Sequence, residues 1–439
     1  MKICVVGLGY IGLPTAAMFS SHGHEVVGVD VNGSIVETLN NGAIHIEEPG
    51  LAELIKDAIH SQMFKASLHP EKADVFIVAV PTPNNNDSYM SCDLSYVLSA
   101  CQSIIPYLEQ GNTIIVESTI SPRSMDDHIK VLFENNGFKA GEDVYLAHCP
   151  ERVLPGQILE ELIHNNRIVG GVTEKCTEAA AVVYSAFVQG EIIRTEAKTA
   201  EMSKCMENTF RDVNIALANE LVKICYDLEI NALDVINMAN KHPRVNIHSP
   251  GPGVGGHCLA VDPYFIYAKS PDYANIIKLA RDTNNSMPEF VVQLASELLQ
   301  GIDCPKIAIF GITYKGNVDD MRESPALEII EILKEEGYKL SIYDPHVSHI
   351  EFVNEETAVT GADLILVLTD HNEFKELNQI KIAKLMRTPM LLDTKNIIRS
   401  QLRSGLEVIN FGNIYQYKRN GKGEMYEVVG CGDRGLFWK

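Results

Sequence analysis

Apolar runs of strand length alternate with helix-length segments along most of this chain. In the first half they span residues 2–6, 25–30, 74–80, 112–117 and 143–147. The same pattern returns in the last third, at residues 306–310, 340–343, 363–368, 390–392 and 407–409. Strands that alternate with helices in this way predict mostly parallel sheets with right-handed crossovers. The pattern therefore predicts an α/β protein with two doubly wound units.

One long helix is predicted between these units, starting at about Lys198. Its apolar positions step by three or four residues over roughly seven turns. They are Met202, Met206, Phe210, Val213, Leu217, Leu221, Ile224 and Leu228. A helix of this length is expected to bridge domains or to form a subunit interface. Lys204, Asn208 and Arg211 share the opposite face, either as a functional group or as an ordinary solvated face.

The chain beyond this helix is expected to stay helical at first. Residues 233–240 continue the helical pattern, and Lys241-His242-Pro243 breaks it. Residues 282–305 are expected to be a connecting segment before the second α/β unit. The tail, residues 420–439, is glycine-rich and polar, and its composition is typical of a loosely docked end.

A glycine motif follows the first predicted strand, in the order Gly7-Leu8-Gly9-Tyr10-Ile11-Gly12. The second strand closes on Asp30. These glycines allow a tight turn and close approach of a pyrophosphate to a helix N-terminus, and the acid can accept from a ribose hydroxyl. Val31 and Asn32 follow instead of Arg, which favours NAD over NADP. The motif predicts that the first unit is a Rossmann domain that binds NAD.

Three other segments follow predicted strands, where parallel sheets bind their ligands. They are Pro81-Thr82-Pro83, Ser118-Thr119 and Cys149-Pro150-Glu151-Arg152. Thr82 and Thr119 are either ligand contacts or ordinary helix caps. Glu151 is a stronger candidate, because a carboxylate held at a sheet edge can act as a base.

A second glycine-rich segment, residues 251–256, precedes His257 and Cys258, and Asp262 follows four residues after the cysteine. Glycines let a backbone approach a ligand closely. A cysteine exposed on such a loop is a candidate nucleophile when its surroundings favour the thiolate. The alternative is a buried structural cysteine beside a tight turn.

The second α/β unit lacks the glycine motif of the first. It carries Thr313-Tyr314-Lys315-Gly316-Asn317 and then residues 319–324 in that place. This difference predicts a different phosphate-bearing partner. Lys315 and Arg322 are candidate cations for that partner, or ordinary surface charges.

Composition narrows the function class. The chain has 37 Lys and Arg against 58 Asp and Glu, a net charge of −21, and no basic run. That argues against general binding to nucleic acid or to an anionic membrane. Ten cysteines without CxxC spacing indicate reduced thiols and no metal site. With no signal peptide pattern and no apolar run of about 18 residues, we expect a cytoplasmic, metal-free protein.

The glycine motif, the Cys149–Arg152 segment, the long helix and the Val254–Cys258 loop, in this order, resemble the nucleotide-sugar 6-dehydrogenases. The similarity runs from Met1 to about Tyr417. It implies four domain segments: an NAD-binding Rossmann domain (1–197), a central helical, dimer-forming domain with the cysteine loop (198–300), a Rossmann-like UDP-sugar domain (301–419) and the tail (420–439). Residues 149–156 and 242–247 are most similar to members that act on UDP-N-acetylmannosamine for bacterial surface polysaccharides such as capsules.

The resemblance also implies a reaction. The C6 alcohol of the sugar is oxidised twice to a carboxylate, with two NAD⁺ consumed. Cys258 captures the aldehyde as a thiohemiacetal, which becomes a thioester that water cleaves. Lys204 and Asn208 act on the C6 oxygen, and Asp262 positions water and the lysine. Glu151 and Thr119 orient water for hydrolysis.

Binding roles come from the same resemblance. The cofactor contacts it implies are Gly7, Gly9, Tyr10, Ile11, Gly12, Asp30, Thr82, Thr119 and Arg322. The substrate contacts it implies are Glu151, Arg152, Val153, Lys204, Asn208, Arg211, His242, Arg244, Gly255, Tyr314 and Lys315. Arg244 would reach the site of a neighbouring subunit, which implies a homodimer.

Three alternatives stay open at this point. The same chemistry could act on UDP-glucose or UDP-N-acetylglucosamine. A non-catalytic NAD sensor would keep the glycine motif without needing Cys258, Lys204, Asn208 and Asp262. A two-electron hydroxyacid dehydrogenase needs no cysteine, and it leaves the second α/β unit unexplained.

Overall fold

The computed structural model describes residues 1–418, so the tail expected at 420–439 lies outside the described residues. The chain divides into two compact units. The first comprises residues 1–209 and 261–275, and the second comprises residues 210–260 and the chain from residue 276 onward. Each unit is built on its own sheet, which confirms the predicted α/β class with two doubly wound units.

The first unit contains an eight-stranded sheet in the order β3-β2-β1-β4-β5-β6-β7-β8. Its strands are β1 (Lys2–Val6), β2 (Glu25–Val29), β3 (Phe64–Ser67), β4 (Val75–Val78), β5 (Thr113–Val116), β6 (Tyr145–His148), β7 (Arg167–Gly171) and β8 (Ile192–Glu196). Every neighbouring pair is parallel except β6 and β7, which are antiparallel. The order reverses between β1 and β4, which is where such sheets bind their ligands.

The second unit contains a five-stranded sheet in the order β10-β9-β11-β12-β13, and all its pairs are parallel. Its strands are β9 (Lys306–Phe310), β10 (Lys339–Tyr343), β11 (Leu364–Val367), β12 (Met390–Asp393) and β13 (Glu407–Asn410). All five match predicted apolar runs. β9 and β11 are almost wholly buried, because helices cover both faces of a parallel sheet.

The other regular secondary structure of the described chain is helical, and loops connect it. They are α1 (Gly12–Ser21), α2 (Gly33–Asn40), α3 (Leu51–His60), α4 (Ser95–Ile104), α5 (Lys130–Asn135), α6 (Ile158–His164), α7 (Glu174–Tyr184), α8 (Ala197–Asp227), α9 (Ala232–Ala239), α10 (Asp262–Lys269), α11 (Asn275–Asn285), α12 (Met287–Leu299), α13 (Pro325–Glu335), α14 (Glu355–Val359), α15 (Asn372–Lys375) and α16 (Gln379–Leu385). Short 3₁₀ turns span Ile105–Tyr107 and Ile414–Tyr417, and a π-helical turn spans Met125–Ile129. None of the helices within residues 1–418 is long and apolar enough to cross a membrane.

The sequence pattern missed three strands and one helix. The strands β3, β7 and β8 are short or carry polar residues, so they lack a continuous apolar run. The segment 282–305, expected to be a connection, is largely α12. Val291, Leu294 and Leu298 of α12 are buried in the core of the second unit, so this segment packs as a structural helix.

The predicted long helix is α8, and its two faces are the reverse of those of an ordinary surface helix. Phe210, Leu217 and Leu228 on its apolar stripe are 61%, 56% and 60% exposed. Lys204 and Asn208 on the opposite face are buried. Lys204 and Asn208 therefore do not face solvent, whereas Arg211 on the same predicted face is exposed. Most of the apolar stripe is exposed within residues 1–418, with Val213 and Leu221 half-buried.

We expect Gly12→Ala to destabilise the first unit. A Cβ on Gly12 would lie 1.8 Å from the Gly7 carbonyl oxygen, and the backbone would have to move. The expected loss is about 2 kcal/mol or more, measured as a lowered thermal midpoint. The matched control is Gly33→Ala at the start of α2, where a Cβ meets nothing within 4 Å, and it should change stability by less than about 0.5 kcal/mol. Equal midpoints for the two variants would contradict this account of the turn.

Candidate active site

The turn after β1 exposes backbone at the start of α1. Gly7 has φ +94°, and a Cβ there would lie 2.4 Å from the Ala79 carbonyl oxygen. Gly9 faces open space, with nothing within 4 Å of a Cβ position. Tyr10 is exposed and Ile11 half-buried, and α1 begins at Gly12. Open backbone at a helix N-terminus fits a dinucleotide pyrophosphate.

Asp30 ends the strand beside this turn. Its Oδ2 accepts the backbone N–H of Leu8 at 3.1 Å, and its Oδ1 accepts the N–H of Asn32 at 2.9 Å. Each carboxylate oxygen keeps a second lone pair. The carboxylate is therefore fixed in place and can still accept a ribose hydroxyl.

The loops after β4 and β5 are joined by hydroxyl groups. Thr82 is buried, and its Oγ1 donates to the carbonyl of Thr119 at 2.7 Å. Ser118 Oγ accepts the N–H of Val80 at 2.9 Å and donates to the Val80 carbonyl at 2.7 Å. These contacts place Thr82 and Thr119 together where the strand order of the first sheet reverses.

Lys204, Asn208 and Asp262 form a buried group in the first unit. Asn208 Nδ2 donates to Asp262 Oδ2 at 2.6 Å, and Asp262 is 2% exposed. Burial raises the pKa of Asp262 to about 6, against the opposing effects of the Lys204 charge and the Asn208 hydrogen bond. Lys204 thus lies near a carboxylate that is ionised above about pH 6.

Glu151 lies in the loop after β6, together with Arg152 and Val153. Its Oε1 accepts the N–H of Arg152 at 2.8 Å. The Arg152 guanidinium pairs with Glu207 of α8 at 2.8 Å, and Val153 packs on the core of the first unit. This loop is therefore tied both to the core and to α8.

The cysteine loop packs within the second unit. The N–H of Gly256 donates to the Arg322 carbonyl at 3.1 Å. A Cβ on Gly255 would lie 2.2 Å from the Glu323 carbonyl oxygen, and one on Gly256 would lie 2.7 Å from the Tyr314 ring. The two glycines are thus required for close packing on this turn. Cys258 itself is exposed, so it is not a buried structural cysteine.

Buried polar residues of α8 anchor this loop. Asp212 accepts from Arg281 Nη1 at 2.7 Å, and the same nitrogen lies 3.5 Å from the Leu259 carbonyl oxygen. Asn219 Oδ1 accepts the N–H of Gly251 at 2.9 Å. Asp212, Asn219 and Arg281 were not predicted from the sequence. Asp212 and Asn219 recur at helical spacing with Asn208, but polar residues at such a spacing usually face solvent.

The remaining predicted cations are exposed in the second unit. Arg211, His242, Arg244 and Lys315 are all exposed, and the Arg322 guanidinium pairs with Asp320 at 2.7 Å. The loop that carries His242 and Arg244 is closed at its base, where the Asn240 side chain makes two hydrogen bonds to the Ile247 backbone, at 2.7 and 3.0 Å.

Three buried charged residues of the first unit were also missed. Glu117 directly follows β5, Arg167 begins β7, and their side chains pair at 2.7 Å. Glu201 of α8 accepts the backbone N–H groups of Arg123 and Met125 at 2.6 and 2.7 Å. Glu201 thereby fixes the turn that follows Thr119. A charged residue at the end of an apolar run was the only sequence signal for Glu117 and Arg167.

An aspartate accepts a backbone N–H of the turn after the first strand in both units. Asp344 in the second unit accepts the N–H of Ile312 at 2.8 Å, as Asp30 accepts that of Leu8 in the first. In the second unit, however, His371 Nε2 lies 3.1 Å from the Asp344 carboxylate. Asp344 is therefore satisfied internally, so a nucleotide on this unit must be held by other groups.

His346, His371 and Glu373 form a group with the side-chain types that hold metals, with ligand atoms within 4.8 Å of one another. His371 Nδ1 accepts the backbone N–H of Asn317 at 2.9 Å. Because that nitrogen must supply the lone pair, Nε2 carries the proton and has none to offer a metal. The donor set therefore does not fit a metal as it stands.

Three family models match the chain over most of its length. They are the NAD binding domain (residues 1–188), the central domain (residues 198–286) and the UDP binding domain (residues 308–400) of the UDP-glucose/GDP-mannose dehydrogenase family. Their order along the chain is the order in which the nucleotide motif, the long helix and the second α/β unit occur.

Individual relatives cover nearly the whole chain. The UDP-N-acetyl-D-mannosamine dehydrogenase of Methanococcus maripaludis is 50% identical over 423 residues, 94% of this chain and 97% of that protein. The Campylobacter jejuni protein of the same name is 46% identical, covering 87% of this chain and 98% of that protein. The solved structure of the UDP-N-acetyl-mannosamine dehydrogenase Cap5O from Staphylococcus aureus is 57% identical with a TM-score of 0.90, covering 95% of this chain and all of that one.

Proposed function

Because the chain belongs to the UDP-glucose/GDP-mannose dehydrogenase family, we propose that its substrate is UDP-N-acetylmannosamine, oxidised at C6 to the uronic acid. The chain is an NAD-dependent nucleotide-sugar dehydrogenase. The observation that carries the choice of sugar is that the three relatives above bear this substrate in their names at 46–57% identity. UDP-glucose and UDP-N-acetylglucosamine are less favoured for that reason.

The proposed chemistry uses Cys258 as the nucleophile. When bound, NAD⁺ supplies the hydride acceptor for both oxidations. The Cys258 thiolate adds to the C6 aldehyde to form a thiohemiacetal, and the second oxidation leaves a thioester. Water then adds to the thioester carbonyl, the C–S bond breaks, and the thiolate leaves. The exposed position of Cys258 on a tightly packed glycine loop supports this role.

Residues of the first unit take part in proton transfer, stabilise negative charge and orient water. Lys204 accepts the proton of the C6 hydroxyl and stabilises negative charge on that oxygen, which is worth roughly 3–4 kcal/mol by analogy with an oxyanion donor. Asn208 donates to the same oxygen, and Asp262 holds both groups. Glu151 and Thr119 orient the hydrolytic water. The buried hydrogen bond between Asn208 and Asp262 supports this arrangement.

Cofactor and substrate contacts follow the same proposal. We assign NAD to Gly7–Gly12, Asp30, Thr82, Thr119 and Arg322. We assign the UDP-sugar to Glu151, Arg152, Val153, Lys204, Asn208, Arg211, His242, Arg244, Gly255, Tyr314 and Lys315. Residues 1–197, 198–300 and 301–419 then serve as NAD-binding, central and UDP-sugar-binding domains.

We further propose a cytoplasmic homodimer that supplies a sugar acid for surface polysaccharide such as capsule. The uncovered apolar stripe of α8 supports a subunit interface, because a row of exposed large apolar side chains on one helix marks an association surface. The exposed loop with Arg244 supports a contribution to the neighbouring subunit's site.

The first test is stoichiometry. With UDP-N-acetylmannosamine as substrate, two NADH should form per sugar consumed, and UDP-glucose should turn over more slowly. Cys258→Ser should lose turnover to the acid by at least about a thousandfold, as for other lost nucleophiles. The exposed Cys304→Ser variant is the matched control and should keep wild-type turnover. One NADH per sugar, or normal acid formation by Cys258→Ser, would refute the mechanism.

The second test is pH dependence. Since the pKa of Asp262 is raised to about 6, its carboxylate form is lost as pH falls through that value. Turnover should therefore rise with pH through about 6 when measured between pH 5 and 9. Asp262→Asn should lower the plateau by at least about tenfold and abolish this limb. A limb near pH 6 that persists in Asp262→Asn would assign it to another group.

The third test asks whether Arg244 acts across subunits. Arg244→Ala and Cys258→Ser should each be inactive alone. If they are mixed under conditions that exchange subunits, one complete site forms in each mixed dimer. Random pairing then restores roughly a quarter of wild-type activity. A mixture that stays inactive, with subunit exchange verified by mass, would show that Arg244 acts within its own subunit.

A further inference from the structure

A buried guanidinium bridges two carboxylates behind the Glu151 loop. Arg167 Nη2 lies 2.7 Å from Glu117 Oε1, and Nη1 lies 2.7 Å from Glu151 Oε2. The side chains are 5%, 0% and 9% exposed for Arg167, Glu117 and Glu151. The antiparallel register of β6 and β7 pairs Ala147 with Gly171 and His148 with Gly170. Continued past the strand ends, it sets Glu151 opposite Arg167.

Neighbouring side chains fix this cluster in place by hydrogen bonds and by stacking. Glu117 accepts the Tyr184 hydroxyl at 2.7 Å and the Thr15 hydroxyl at 3.0 Å. Arg167 Nε donates to the Cys149 sulfur at 3.2 Å. The guanidinium also stacks on the Tyr184 ring, 4.1 Å from its centre. The remaining contact on Glu151 is the Arg152 backbone N–H on Oε1.

The charges in the cluster do not balance. One guanidinium faces two carboxylates, so the cluster carries net charge −1 when both acids are ionised. Replacing a buried ion cluster by apolar residues is often neutral or stabilising, so folding alone does not explain this one. What the shared guanidinium does is fix the position of the Glu151 carboxylate at the edge of the sheet.

We propose that Glu117 and Arg167 are positioning residues for thioester hydrolysis, which orient Glu151 so that it accepts a proton from the attacking water. This inference rests on the proposed function. As the water oxygen bonds to the thioester carbonyl carbon, its proton passes to Glu151, the C–S bond breaks and the Cys258 thiolate leaves. The acid product releases its remaining proton to solvent, and Glu151 returns its proton to the thiolate or to solvent.

The pKa of Glu117 shows how much this pair of acids depends on the guanidinium. Burial raises the pKa of Glu117 to about 7, the Arg167 charge opposes this, and the charge of Glu151 adds to it. Arg167 therefore holds together two buried acids that would otherwise repel each other.

Two variants change the cluster in different ways. Arg167→Lys keeps the positive charge but cannot bridge both carboxylates, and Glu117→Gln removes one negative charge with little change of shape. Tyr184→Phe is the matched control, because it removes one donor to Glu117 and leaves the ring and both ion pairs. All three are measured as full-length protein with NAD⁺ and UDP-N-acetylmannosamine, by rapid mixing and by intact-protein mass.

In Arg167→Lys, NADH formation before hydrolysis should stay within about threefold of wild type, while thioester hydrolysis slows at least tenfold. An acyl group should then accumulate on Cys258 and appear as a mass increase. Glu117→Gln should also slow hydrolysis and accumulate the acyl group on Cys258, because the guanidinium that holds Glu151 loses its second carboxylate partner. Tyr184→Phe should accumulate no acyl-enzyme.

The possible outcomes distinguish failure of this inference from failure of the proposed function. If wild type yields two NADH per sugar but both variants slow all steps equally, without acyl-enzyme, the cluster is structural and the inference is overturned. If Arg167→Lys does not fold, the amount of acyl-enzyme in Glu117→Gln decides alone. A wild-type ratio other than two overturns the proposed function, and this inference with it.

Discussion

The constraint on which most of the structure depends is the buried polar face of α8. Glu201, Lys204, Asn208, Asp212 and Asn219 recur at helical spacing and are all buried. A buried polar group without a partner is costly, so each needs a fixed one. The partners are the backbone N–H groups near Thr119, the carboxylate of Asp262, the guanidinium of Arg281 and the backbone of the cysteine loop. Within each unit, the part of this helix that belongs to it holds residues proposed for catalysis in place.

The same helix has its apolar stripe exposed, and the two facts are linked. Toward its own chain, α8 buries these polar groups and, near its end, Val222 and Tyr226, while Phe210 and Leu217 lie on the other face. Covering them by a second copy would place the stripe in a dry interface. The enzyme would then need its dimer for stability as well as for any contribution from Arg244.

The first sheet also shows how the change of strand direction at β7 alters the chemistry available at a sheet edge. In a purely parallel sheet, the residue at the start of a strand lies at the opposite edge from ligand-binding loops. Because β7 runs antiparallel to β6, Arg167 at its start lies beside the loop that follows β6. A buried cation thus meets Glu151 without lying on any loop.

The sequence by itself determined the α/β class, the glycine turn with Asp30, the long helix and the cysteine loop, since these depend on local periodicity and on residues that only a tight turn requires. It also singled out Lys204, Asn208 and Asp262. Only the tertiary structure decided that the polar face of α8 is buried, that α12 fills the segment expected to be a connection, and that Glu117 and Arg167 surround Glu151. These features depend on contacts between separate helices, strands and loops, and on the direction of one short strand. Local sequence spacing carries no information about either, because burial and strand direction are set by what packs against a segment and not by the segment itself.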